Sequence, residues 1–364
     1  MVTSQAIRFP VVLIAIVLIG IVLWDAFEVI VLPRRVTRRW RLSRLFYRLT
    51  WRPWAAVARR VASHARRESF LGFYGPLSLV FLLVLWAASL VLGFGLLQWS
   101  LVTTIHTPEE PPSFGTYLYL SGTTFFTLGL GDVTPRGPVA RGLTVLESGV
   151  GFGFLALVIG YFPVLYNAFS RREVSITLID PRAGSPPTVD ELLRRHGRGR
   201  LHHLDRFLHE WERWTAELME SHLSYPVLAY FRSQHANQSW LGALTTTLDA
   251  CALFMAGGGD DSAWEARVTF AMARHAVIDL AQVFRLRPRA PSPDRLSPSD
   301  VARLFRLLAE AGRPPSDTAV AARRLGDLRR TYEPYVNALA DHLLMPLPAW
   351  TSAQTMTPSM QDDD

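Results

Sequence analysis

Apolar residues crowd into the first half of the chain in three runs of membrane-crossing length, then thin into an amphipathic pattern of soluble type. A helix needs about 20 such residues to cross a bilayer. The first run, 10–32, opens PVVLIAIVLIGIVLW. The second, 76–102, reads PLSLVFLLVLWAASLVLGFGLLQWSLV, and the third, 139–169, contains LESGVGFGFLALVIGYFPVLY. Arg8 precedes the first run as it would a secretion signal. No small-x-small cleavage site follows, however, and the helical pattern continues past Asp25 and Glu28, so a retained span is expected.

Between the second and third runs stands SGTTFFTLGLGDVTP, too apolar and too short for a solvated loop. Ser113, after Pro111-Pro112, is placed to cap a short helix over 114–126. That helix would aim its carboxyl end, and the negative end of its dipole, toward the membrane centre. Non-helical backbone survives at such depth only where it is buried in protein or lines a watery path. The strip 127–131 is therefore predicted to line a pore.

The chemistry of such a strip accounts for its letters. Carbonyl oxygens must face one axis to replace the water around a dehydrated ion. Side chains then point away, which requires alternating backbone handedness, and Gly129 and Gly131 tolerate it. Leu128 and Leu130 would turn into packing, Thr127 would add a hydroxyl at the inner end, and Asp132 could anchor the strip from behind. One chain supplies one wall, so four must assemble. The pattern Thr124-x-x-Thr127-x-Gly129-Leu130-Gly131-Asp132 resembles the TxxTxGYGD signature of the potassium channels, with Leu for Tyr. The GLG form is similar to the second filter of some two-pore-domain members. The resemblance covers about 76–170: outer helix, pore helix, filter and inner helix. It implies stacked K+ sites formed by the carbonyls of Thr127, Leu128, Gly129, Leu130 and Gly131 and the Thr127 hydroxyl, with Thr123, Thr124, Asp132 and Glu147 as filter support. Leu130 lacks the tyrosine hydroxyl that ties such filters to pore-helix aromatics, Tyr119-Leu120 replaces the usual aromatic pair, and Thr123 stands where some relatives carry an acid. A softer filter follows as an expectation.

In the third run Gly149-x-Gly151-x-Gly153 follows no strand, so it is not a dinucleotide fingerprint. By the same resemblance Gly151 aligns with the gating-hinge glycine; close helix packing by small residues is the equal alternative. Phe152, Leu155 and Ile159 then face the pore as an apolar ring. Pro163 interrupts the hydrogen-bond ladder about 18 Å below Gly151, where inner helices would converge. Glu147 inside the span is expensive unless it faces protein or water. A hydrogen bond to Thr123 or Thr124 behind the filter is favoured over a cavity charge. Asp25 and Glu28 are expected to pair with arginines of the following loop.

Charge orients the chain. All 38 basic residues are arginine, and the net charge is +7. Between positions 33 and 75 stand twelve Arg against one Glu, interleaved with Trp40, Phe46, Tyr47, Trp51 and Trp54. Joining two spans, this segment reads as cytoplasmic and as an amphipathic surface for the anionic inner leaflet, rather than as a nucleic-acid site. The amino terminus would then lie outside, the filter at the outer face, and everything beyond 172 in the cytoplasm, in a bacterial cell membrane. Neither span before the pore carries the spaced arginines of a voltage sensor. A single cysteine, Cys251, excludes an intramolecular disulfide framework.

From 173 onward the pattern predicts an α-helical domain, opened by a short strand in VSITLID and a Thr188-x-x-Glu191 capping box. Helices are expected over 201–221, 239–255, 263–284, 298–311 and 317–344, with a disordered tail from 346. The run 240–255 is interrupted by threonines and Asp249 and reads as a core helix. His209 with Glu212 and His275 with Asp279 each share a helix face and could contribute to a metal site. The stretch 221–240 concentrates His222, Tyr225, Tyr230, Arg232, His235 and Gln238, as in a ligand pocket or an intersubunit seam. No catalytic constellation or nucleotide-binding glycine motif occurs in the sequence, and no cofactor beyond K+ is implied. The expected molecule is an all-α membrane channel: 1–32 first span, 33–75 basic linker, 76–172 pore domain, 173–345 cytoplasmic helical domain, 346–364 tail. It would be a homotetrameric, non-enzymatic potassium channel, open to an unidentified cytoplasmic ligand. The alternatives are a weakly selective monovalent cation channel and a membrane-anchored receptor or enzyme acting through the helical domain.

Overall fold

The computed structural model describes residues 2–32, 41–196, 201–235, 237–257 and 263–352. The chain forms two compact units, 1–167 and 168–364. In the first, α1 (Val2–Ala26) ends in a π-helical turn, Phe27–Val31, and is followed by α2 (Leu42–Arg60), α3 (His64–Ser100), the short α4 (Phe114–Phe125) and the start of α5 (Gly137–Ala183). Three of these, α1 with its π turn, α3 and α5, are long and apolar enough to cross a membrane. The fold is all-α, with helices of membrane-crossing length.

The core of this unit forms where α1 lies along α3. Val22, Ala26, Phe46, Leu82, Trp86, Leu90 and Phe125 are buried together, and Val150, Phe154 and Val158 of α5 pack on them. The spacing i, i+4, i+8 puts those three on one stripe of α5. Asp25 and Glu28 pair with Arg41 as expected, at 3.9 and 3.3 Å. Asp25 also accepts from Ser43 N (2.9 Å), Ser43 Oγ and Trp86 Nε1, so a carboxylate of α1 caps the first turn of α2 and ties it to α3. The basic segment is thus not one linker. Its part 42–60 is a helix, and 64–75 belongs to α3, because no breaker precedes Pro76. The arginines at 34, 35, 38 and 39 lie outside the described residues.

In the second unit, α8 (Trp240–Gly257) lies among α6 (Val189–His196), α7 (Leu201–Ser224), α9 (Trp264–Val283), α10 (Pro298–Glu310), α11 (Thr318–Arg330) and α12 (Glu333–Leu343). Although α8 is long and apolar enough to span a membrane, it is buried almost throughout. Its Asp249 is met by Arg295 (3.0 and 3.1 Å) and by Tyr332 Oη (2.5 Å). Arg295 also reaches Glu333 at 2.8 Å. Burial disfavours the Glu333 charge and outweighs the arginines beside it, raising its pKa.

Several sequence expectations are corrected. VSITLID is not a strand; α5 continues through it to Ala183. Glu191 N is taken by Asp190 Oδ1 (2.9 Å), and Thr188 Oγ1 donates to that same oxygen, so the capping box is not formed. The helix expected over 317–344 is two, because Pro334 has no N–H for the Arg330 carbonyl. Residues 346–352 are held rather than disordered. Trp350 is fully buried, Thr351 bonds Asp300 and Ser352 bonds Asp190. The rest of the expected tail, 353–364, lies outside the described residues. The dense stretch 221–240 is spent on internal ties: His222 and Phe231 to Arg172, Arg232 to the carbonyls of Leu343 and Leu344, Gln238 to Asp180.

Candidate functional site

The site grows from α4. Ser113 and Thr116 form a capping box at its amino end, and Thr116 Oγ1 donates to Glu109 at 3.0 Å. Tyr117 Oη donates to Thr103 O at 2.8 Å, fixing the helix to the end of α3. On the far side of the loop a two-residue ribbon pairs Ile105 with Pro135 and His106 with Thr134. The helix is thereby held at its amino end, while its carboxyl end at Phe125 runs into the strip.

Backbone geometry along the strip alternates. Thr127, Gly129 and Gly131 have φ of 57°, 55° and 83°. Left-handed backbone costs a non-glycine residue roughly 1–2 kcal/mol, and the β-branched Thr127 bears that cost. The amides are drawn backward: Thr127 N donates to Thr124 O (3.0 Å), and Leu128 N to Thr123 O (2.8 Å). Gly129 N reaches the same Thr123 oxygen at 3.4 Å. The amides of Thr127, Leu128 and Gly129 are thus committed to the helix end, while the carbonyls of 127–131 accept from no backbone amide among the described residues. Leu128 and Leu130 are 61% and 66% exposed in the single chain, so the packing foreseen for them is not supplied from within it.

Behind the strip, Asp132 Oδ2 accepts from Tyr119 Oη at 2.9 Å, one turn of α4 away from the backbone ties. Tyr119, read in the sequence only as a departure, thus carries the hydroxyl that Leu130 lacks. Glu147 is fully buried on α5. Its partner is Ser121 rather than Thr123 or Thr124, because Thr123 Oγ1 is turned to Leu120 O at 3.0 Å. Ser121 Oγ also lies 2.7 Å from Val91 O, and Gln98 of α3 faces the same carboxyl. A polar knot of α3, α4 and α5 results, buried behind the strip. Gln98 was its missed signal: a lone amide in an apolar run must find a partner in hydrocarbon.

Gly151 abuts the end of α4. A Cβ built there would lie 2.1 Å from Phe125 O and 2.9 Å from its carbonyl carbon, whereas Gly149 and Gly153 would meet nothing within 4 Å. Phe152, Leu155 and Ile159 are 69%, 55% and 64% exposed, on the face of α5 away from Val150, Phe154 and Val158. Pro163 is exposed as well, and α5 runs through it without a break, so the foreseen interruption costs one hydrogen bond and does not end the helix.

The comparisons fall on these same elements. Residues 79–166 match the protein family described as "Ion channel". An uncharacterized membrane protein of Bacillus subtilis (strain 168), YdjJ, is 25% identical over 209 residues, 56% of this chain and 59% of its own length. The chain thus spans less than two thirds of that relative. No solved structure matches significantly. The matched stretch contains α4, the strip, Glu147 and Gly151, so the resemblance to ion channels rests on these elements of a membrane protein.

Proposed function

We propose that four copies of the chain surround one axis lined by 127–131 and pass K+ down its gradient. The observation that carries this reading is the alternating left-handed backbone at Thr127, Gly129 and Gly131, together with amides tied to Thr123 and Thr124. Carbonyl oxygens on a fixed spacing can replace an ion's hydration shell. Phe152, Leu155 and Ile159 form the apolar inner passage, Asp132 and Glu147 brace the filter, and Gly151 with Pro163 shapes the gate. The basic α2 rests on anionic inner-leaflet lipid, which puts the amino terminus outside the cell membrane and the second unit in the cytoplasm.

The test is K+ flux through full-length protein in liposomes, with Gly129→Ser as comparison. Flux above that of empty liposomes, abolished by the substitution, is expected. Flux equal to empty liposomes, or unchanged in Gly129→Ser, overturns the proposal. A weakly selective monovalent cation channel is the second reading, favoured by Leu130, whose side chain offers no hydrogen bond to hold the filter's diameter. Reversal potentials that stay near zero under opposed K+ and Na+ gradients would establish it.

A further inference from the structure

We propose that His209, Glu212 and Glu265 form a site for a borderline divalent transition metal, represented by Zn2+, that clamps α7 to α9. His209 and Glu212 are three residues apart on α7 and share a face. Glu265 comes from the first turn of α9 and closes the set from the opposing helix, which the sequence pairing alone could not do. His209 Nδ1 stands 3.8 Å from Oε2 of Glu212 and 3.8 Å from Oε2 of Glu265, and the three ligand atoms all lie within 4.8 Å of one another.

These separations exceed hydrogen-bond range. They are close to what a metal needs: bonds of about 2.0–2.2 Å in a tetrahedron set neighbouring ligands roughly 3.4 Å apart. Small rotations of solvent-facing side chains cover the difference. One imidazole nitrogen and two carboxylate oxygens, with water in the fourth position, suit Zn2+. Mg2+ demands near-ideal octahedral oxygen coordination and is poorly served by a three-ligand set that includes nitrogen. Two carboxylates facing each other across helices repel, and a divalent cation turns that repulsion into a cross-link. As plain ion pairs the same groups would contribute little, since His209 is 72% exposed. His275 and Asp279, the other helical pair, gain no third ligand among the described residues. This site is independent of the pore reading and supplies the helical unit with a ligand of definite chemistry.

The experiment titrates tag-free, chelator-stripped full-length protein in detergent with ZnCl2 by calorimetry. One tight ion per chain is expected. His209→Ala and Glu265→Gln should each weaken it by more than the roughly 10–100-fold that loss of an outer partner alone can cost. Glu217→Gln, on the same helix outside the cluster, should leave it unchanged. Zn2+ should raise the thermal midpoint of the wild type and not that of Glu265→Gln, while Mg2+ raises neither. Uptake by His209→Ala or Glu265→Gln equal to wild type, or an equal thermal shift with Mg2+, overturns the site.

Discussion

Two side chains near the strip, one present and one missing, decide how it is held. Gly151 has no Cβ, and the Phe125 carbonyl occupies the space where one would go. Gly151→Ala must therefore displace α4 or α5, and the expected outcome is a lowered thermal midpoint together with reduced flux. Gly149→Ala, which meets nothing within 4 Å, should keep both at wild-type level. If the two variants behave alike in parallel melting and flux assays, the contact has no role. Tyr119 is the converse case. Its hydroxyl holds Asp132 from an exposed position, so Tyr119→Phe should leave the thermal midpoint unchanged and shift K+ over Na+ discrimination, read as reversal potential. An unaltered reversal potential would mean that the bond does not steady the filter.

At the level of elements, α5 carries its own electrostatic lock where it enters the second unit. Arg172 is buried and spends its donors on Glu173, Leu228 O, Phe231 O and His222. Arginine can only donate, so His222 Nε2 accepts from it at 3.2 Å, and Nδ1 keeps the proton it gives to Leu218 O at 2.9 Å. Burial first, and the Arg172 charge second, hold the His222 pKa well below its ordinary value. The unfolded chain takes up that proton below about pH 6.5, and the folded one does not. Stability contributed here is therefore complete above that pH and lost as pH falls, by up to about 1.4 kcal/mol per unit. Denaturant melts between pH 5 and 7.5 should show this slope, reduced in His222→Gln. Equal slopes would remove His222 from the account.

The same helix shows what the sequence could and could not reveal. Its apolar run, the left-handed backbone at Gly129 and Gly131 and the cap of α4 at Ser113 were legible because period, glycine spacing and hydroxyl placement are local. Its length was not. VSITLID favours extended backbone, but a helix already nucleated upstream extends through it at low cost. The partners of Glu147 and Asp132 were also hidden, since Ser121, Gln98 and Tyr119 come from other turns or helices and no local pattern ties them together. Asp190 shows the same limit: its contacts to Arg303 and Ser352 span more than half of the second unit's sequence.

Considered whole, the chain leaves a great deal of oil facing outward. Leu128, Leu130, Phe152, Leu155 and Ile159 are exposed around the strip and along one face of α5, while other exposed apolar residues such as Leu13 and Phe81 lie on other helices. Lipid can cover the second group, but a conducting strip needs its flanks closed by protein. Native mass spectrometry from detergent should find four chains of 40.9 kDa together. A monomer or dimer under conditions that preserve flux would contradict the fourfold arrangement.

The meeting of Gly151 with the Phe125 carbonyl has a mechanical side. Two main chains touching without an intervening side chain leave nothing soft between them, and protein interiors yield little under load. The contact can serve as a fulcrum: tilting α5 about it keeps the two backbones in touch, whereas axial slip pushes on the Phe125 carbonyl and, through it, on Thr127 two residues on, where the strip proposed to line the pore begins.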